Sequence, residues 1–162
     1  MRIEWIGRHP QHVAALARWH HAEWGALYDD WTLPAATAEL EDHTRCDSLP
    51  TTLVLMDGGR LLGSVSLLLE DAPELRDRGG PWLASLFVSP DARGRGGGKR
   101  LVEAAVAHAA AQGVRWLRLF TLWHEDFYAD LGWKLEERSQ LHGVSIAIMG
   151  IDPARRRHAA VR

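Results

Sequence analysis

Two apolar periods, one of two residues and one of three to four, alternate along this chain between short polar breaks. Residues 2–6, RIEWI, alternate polar and apolar and predict a short half-buried strand. From Pro10 to about Trp24 the apolar positions Val13, Leu16, Ala17 and Trp24 recur at helical spacing. Pro10 suits a first turn because its missing N–H would be unpaired there anyway, and Gly25 is a natural stop. A second helix is expected over 34–43, with Thr32 as its cap and CDSLP (46–50) as its break. TTLVLM (51–56), the turn DGG (57–59) and RLLGSVSLLLE (60–70) read as a hairpin.

The polar segment 71–80 contains Pro73, Gly79 and Gly80 and predicts a solvent-facing loop. WLASLFVS (82–89) follows as a short apolar run, expected to be a buried central strand. In KRLVEAAVAHAAAQG (99–113), Leu101, Val102, Ala105, Val106 and Ala109 form a helical stripe that Gly113 closes. A strand over 115–122, a short helix over 125–132 and two strands over 133–139 and 144–151, around the turn QLHG, complete the pattern. Without repeats, low-complexity tracts or a linker, residues 1–152 read as one domain, and 153–162 as a frayed basic tail.

Composition narrows the function. With 19 Lys plus Arg against 21 Asp plus Glu, the formal charge is -2, which argues against broad electrostatic binding to nucleic acid. Any basic site must be local. Cys46 is the single cysteine, so no internal disulfide or cysteine-based zinc cluster can form, and a reducing, cytoplasmic setting suits the chain. The start MRIEWIGRHP lacks a long apolar core, and no apolar run approaches the roughly 18 residues of a membrane span. His9 and His12, and His20 and His21, lack the partners of a metal motif, so no metal is expected. The eight tryptophans read mostly as core or core-edge residues, the remainder as candidates to line a pocket.

The candidate chemistry lies in RGRGGGK (93–99), between the run 82–89 and the helical stripe. The Walker loop would need glycine at 93 and Ser or Thr at 100, where Arg93 and Arg100 stand. The dinucleotide fingerprint would need glycine at 99 or 101, where Lys99 and Leu101 stand. The spacing that fits is Arg/Gln-x-x-Gly-x-Gly/Ala, met by Arg93, Gly96 and Gly98. The unpaired N–H groups of a helix's first turn carry the positive end of its dipole, so glycines that admit an anion there make a pyrophosphate site. Arg93, Arg95 and Lys99 add charge beside it.

SLFVSPDARGRGGGKRLVEAAVAHAAAQG resembles the acetyl-CoA-binding signature of the GNAT superfamily of N-acyltransferases, and FYADLGW (127–133) resembles its second common element. The resemblance implies an α+β, three-layer α/β/α fold: a mixed, mostly antiparallel sheet of six to seven strands with a splayed central pair. It implies that Leu86, Phe87 and Val88 pair with the pantetheine arm of acetyl-CoA, and that Gly94, Arg95, Gly96, Gly97, Gly98 and Lys99 hold its pyrophosphate, with Arg93 opening the turn. Tyr128 matches the family's tyrosine, which protonates the departing thiolate or holds the thioester sulfur; a phenol, with an ordinary pKa of about 10, is a suitable donor. An amide near Val88 is a candidate to stabilise the oxyanion.

The implied function is transfer of an acetyl group from acetyl-CoA to a primary amine by direct attack, on a small-molecule or peptide acceptor. The alternatives are a non-catalytic acyl-CoA sensor and an acetyltransferase of the aminoglycoside or polyamine type, for which the acidic loop EDAPELRD (70–77) offers counter-charges. No nucleic-acid or membrane partner is expected. A homodimer is common in the superfamily, and the run VSIAIMGI reads either as an interface or as an interior strand. Residues 82–89 hold no carboxylate, which leaves Glu23, Glu70, Asp71, His20, His21 or a water chain as the base. Where the family often carries Asn before the tyrosine this chain has Thr121, and Trp123 and His124 either shape the acceptor pocket or lie on the surface.

Overall fold

The computed structural model describes residues 1–154. The basic tail expected over 153–162 therefore lies almost wholly outside the described residues. Seven strands form one mixed sheet in the order β1-β2-β3-β4-β5-β7-β6, and the chain divides into two compact units, residues 1–66 with 85–102 and residues 67–84 with 103–162.

In the first unit β1 (Arg2–Trp5) runs antiparallel to β2 (Thr51–Asp57), with Ile3 opposite Leu55. β2 turns through Gly58 and Gly59 into β3 (Arg60–Leu68), the hairpin that the sequence suggests. α1 (Val13–Trp24) buries Val13, Leu16, Ala17 and His20, the i, i+3, i+4, i+7 stripe of a helix lying on a sheet. Its beginning differs slightly from expectation: Pro10–His12 form a separate 3-10 turn with proline at its start, and at the other end Gly25 leads into another such turn. α2 (Leu33–His43) starts at Thr32, whose hydroxyl accepts from the N–H of Ala35 at 3.2 Å. Ile6, Leu16, Ala17, Ala36, Leu40, Val54 and Met56 pack together as this unit's core, with Trp5, Trp19 and Trp31 against it.

Below that core runs a buried polar layer. His43 Nδ1 lies 2.7 Å from Thr52 Oγ1, and Thr52 in turn 2.7 Å from Ser66 Oγ. Burial holds His43 down to about 4.

In the second unit β5 (Leu117–Thr121) and β7 (Val144–Ile151) are antiparallel, Leu119 facing Met149, and β6 (Lys134–Leu141) covers the other side of β7. The run VSIAIMGI is thus an interior strand. His142 and Gly143 join β6 to β7 with φ values of 51° and 78°, the left-handed pair that a two-residue hairpin turn needs. The segment expected as a plain solvent loop is a 3-10 run, Pro73–Arg78, because Leu75 within it is fully buried. Arg78 fixes it to β6 by two hydrogen bonds to the Glu137 carboxylate, at 3.0 and 3.2 Å.

β4 (Trp82–Val88) and α3 (Gly97–Ala111) contribute residues to both units. α3 begins two residues earlier than the apolar stripe suggests, inside the glycine run, and buries Leu101, Val102, Ala105, Val106 and Ala109 as expected.

Candidate active site

The glycine turn belongs to the first unit. Gly94 and Gly96 have φ values of 80° and 77°, a region that residues with a Cβ seldom enter, and a Cβ on either would meet open space. Gly96 accepts the first helical hydrogen bond of α3, from Arg100 N at 3.1 Å, so the amides of Gly97, Gly98 and Lys99 form the helix's first turn. Those amides have no partner within the helix by construction, and the turn leading to them is open on the side where its glycines lack side chains. This donor set fits a pyrophosphate. Gly97 is needed for another reason: its α-carbon sits against Leu55, where a Cβ would come within 2.7 Å of Leu55 Cδ2.

The three cations do not all flank this turn. Arg95 is within 3.7 Å of the Asp57 carboxylate, and Lys99 is exposed on the first turn of α3. Arg93 folds back instead. Its Nε donates to the carbonyl oxygen of Val88 at 2.9 Å, and its guanidinium lies 5.8 Å from the centre of the Phe87 ring.

β4 changes phase along its length. Near its start the carbonyl of Pro81 accepts from Arg118 N of the parallel neighbour β5, in register at Trp82↔Arg118. Eight residues on, an even number that regular alternation would turn to the same edge, Ser89 N donates to Leu62 O of β3 at 2.8 Å. The reversal falls at Ser85, which takes a φ of 54° in mid-strand. An extra residue of this kind is a bulge, and a left-handed conformation without glycine costs about 1–3 kcal/mol that the surroundings must hold. After it, the peptide groups of Leu86 and Val88 face away from β3, while the Phe87 ring packs between Trp19, at 5.5 Å, and Trp24, at 6.2 Å. The expected buried central strand is consequently buried only at Trp82–Ala84 and half-buried from Ser85 to Val88.

Beneath the bulge lies His20, one of the candidate bases. It is 3% exposed, its Nε2 is 2.8 Å from Ser64 Oγ, and burial, with His43 nearby, lowers its pKa to about 4. A ring so buried and so weakly basic is a poor acceptor for an ammonium proton. His21 is bonded through Nε2 to the Trp31 carbonyl, and Glu23 is exposed.

In the second unit Tyr128 sits on α4 (Glu125–Asp130), 7% exposed, with its ring edge-on to Phe127 and to Trp133. Burial pushes its phenol above the ordinary range, so the hydroxyl keeps its proton at any working pH. Thr121, at the end of β5, accepts from His124 N at 3.0 Å and so caps the turn into α4. Trp123 is 81% exposed on that turn, which places it on the surface of the chain. A cavity of about 370 Å³ opens beside Thr121, lined also by Ser139, Gln140, Ser145 and the ion pair of Glu125 with Arg138, whose groups are 2.9 Å apart. Glu70, another candidate base, is paired with Arg76 at 3.2 Å.

The acetyltransferase (GNAT) family model matches residues 14–133, close to three-quarters of the chain and including both the glycine turn and Tyr128. The chain belongs to that family. It is therefore an acyltransferase, on a fold shared with solved members. One such structure is an aminoglycoside 6'-N-acetyltransferase complexed with coenzyme A, with a TM-score of 0.73 at 18% identity over 94% of this chain and 97% of that one. A putative acetyltransferase from Salmonella typhimurium, with its cofactor acetyl-CoA, gives 0.72 at 16% identity, covering 94% of each chain. An N-acetyltransferase from Staphylococcus aureus Mu50 gives 0.71 at 16% identity, covering 94% of this chain and 98% of that one. No curated protein matches in sequence. No helix among the described residues of this GNAT chain is long and apolar enough to cross a membrane.

Two features lay beyond the sequence reading. The bulge at Ser85 has no turn residue to announce it, and Ser64 is a small polar residue in an otherwise apolar run, a signal present in GSVS (63–66) but easily read as ordinary strand.

Proposed function

We propose that this GNAT protein transfers an acetyl group from acetyl-CoA to a primary amine. The observation that carries the reading is the union of three features in one stretch: a β4 edge turned away from β3 at Leu86 and Val88, a turn opened by left-handed Gly94 and Gly96, and the start of α3. When bound, acetyl-CoA supplies an acyl group already activated as a thioester. The amides of Gly97, Gly98 and Lys99 hold its pyrophosphate, Arg95 and Lys99 add positive charge, and the edge groups of Leu86 and Val88 receive its pantetheine arm. Tyr128 holds at Oη the proton that a departing thiolate needs. Residues 1–152 act in this reading as one acyltransferase domain. In support, the family match runs through both compact units.

The acceptor is a small-molecule or peptide amine. An aminoglycoside has less support, although three of the similar structures are aminoglycoside 6'-acetyltransferases. The acidic loop that would provide counter-charges is already engaged: Glu70 with Arg76, Asp77 with Arg78 and Glu74 with His142. The polar cavity beside Thr121 is the better candidate for acceptor recognition. A thiol-release screen of acetyl-CoA over a library of amines, including polyamines, amino acids, peptides and aminoglycosides, tests the reading. Release above the rate without amine is expected for at least one class. Cofactor binding with no release across the library would instead favour a sensor.

A further inference from the structure

The strained residue of β4 is held from α1, through a hydrogen-bond chain that the family assignment does not describe. Ser64 Oγ, on β3, donates to the carbonyl oxygen of Ser85 at 3.4 Å, and its other side meets His20 Nε2 at 2.8 Å. Ser64 has one hydroxyl proton. Directed at Ser85, it leaves Ser64 only as an acceptor towards the ring, so His20 must donate from Nε2–H and is fixed in that tautomer. The same ring lies 5.3 Å from Trp24, and Trp24 meets the Phe87 ring edge-on. One helix residue is thus connected to β4 at the bulge itself, through the Ser85 carbonyl, and just beyond it, through the Phe87 side chain.

We propose that His20 is a positioning residue: its neutral ring, acting through Ser64 and Trp24, holds the Ser85 bulge so that Leu86 and Val88 stay turned to the open edge of β4. This assigns His20 a role other than base, and it rests on the acetyl-CoA reading only for its consequence in turnover. A left-handed serine in a strand reverts to regular alternation unless something fixes it, and reversion would turn Leu86 and Val88 back towards β3. The low pKa of the ring serves this role, because a protonated ring would sit buried and uncompensated beside Trp24, with His43 nearby.

The test is amide hydrogen exchange across 85–89 in the full chain without cofactor, on the wild type and on His20→Gln, His20→Leu and Ser64→Ala. Gln keeps an N–H donor near the position of Nε2, whereas Leu removes it and Ala removes the relay. In His20→Leu and Ser64→Ala, exchange should quicken about tenfold or more at Ser89, whose N–H leaves Leu62 O when the strand reverts, and should slow at Leu86 and Val88; in His20→Gln each change should stay under about threefold. Ser64→Ala, a small change in a buried strand, keeps the result readable where His20→Leu fails to fold. Equal exchange in all four proteins overturns the proposal, as does His20→Gln behaving like His20→Leu. The acetyl-CoA reading is judged separately by calorimetry on the wild type. Where turnover is measured, His20→Gln should retain the wild-type pH profile, and loss of its alkaline plateau would mark His20 as a base and overturn the positioning role.

Discussion

Arg93 Nε hydrogen-bonds the carbonyl oxygen of Val88 at 2.9 Å, tying the first residue of the glycine turn to the last residue of β4. The bond closes a short loop, with Ser89, Pro90, Asp91 and Ala92 inside it, and Asp91 is itself ion-paired with Arg60 at the start of β3. In the proposed reading, the turn that holds the pyrophosphate is therefore anchored to the strand that receives the pantetheine arm, which keeps the two parts in fixed register.

Removing that anchor should weaken the site without unfolding the protein. Arg93→Ala is expected to raise the acetyl-CoA dissociation constant about tenfold, equivalent to one charge-assisted hydrogen bond of roughly 1.5 kcal/mol. Arg93→Lys should recover little, because lysine has no Nε–H to place in the same geometry. Calorimetric titration of both variants checks this, and a lysine variant with wild-type affinity would show that charge alone matters.

Gly97 links the turn to the core. A Cβ there would press on the Cδ2 of Leu55, a fully buried side chain. Gly97→Ala gains helix propensity, worth about 1 kcal/mol, but overpacking of a closed core costs about 1–3 kcal/mol. The second effect is the larger. A net loss of about 1 kcal/mol is expected in urea denaturation, and a more stable variant would refute the packing argument.

Tyr128→Phe preserves the ring packing against Phe127 and Trp133 and removes only the hydroxyl. Turnover should fall by about 100-fold, the usual scale for a general acid, with acetyl-CoA affinity changed by less than about threefold. Because burial raises the phenol pKa, the wild-type rate should show no alkaline decline from this residue below pH 9. Unchanged turnover in the variant would remove the acid role.

His20 and His43 make the fold sensitive to acid. Both have folded pKa values of about 4 against 6.5 for a free imidazole, each chiefly through burial. The unfolded chain binds protons first, so their stabilisation is complete above pH 6.5 and is lost as pH falls towards 4. His20 alone should cost about 2 kcal/mol between pH 7 and pH 5. Urea midpoints at the two pH values measure this, and equal midpoints would mean that the rings titrate normally.

What the sequence disclosed was whatever is written in side-chain period and turn chemistry. The stripe Leu101, Val102, Ala105, Val106, Ala109 marked α3, Thr32 marked the start of α2, and Arg93, Gly96 and Gly98 marked the turn by spacing alone. Hidden features were those that depend on distant partners. Leu75 looked like one apolar residue in a charged loop until the fold buried it, and Ser85 looked like any strand residue because its conformation is imposed by neighbours in other elements. His20 and Ser64 lie 44 residues apart, so no local pattern could join them. The direction of Arg93 was equally invisible, since a flexible cation beside glycines can turn to a ligand or back to the strand.

The central claim, that the turn opening α3 holds the pyrophosphate of acetyl-CoA, is tested most directly by isothermal titration of acetyl-CoA into the wild type and into Gly96→Val. Gly96 has a φ of 77°, which a β-branched residue cannot adopt without strain, and valine there would also project into the open space of the cradle. The account predicts saturable binding to the wild type and no measurable heat of binding to the variant, with both proteins folded by circular dichroism. Undiminished affinity in Gly96→Val would contradict it.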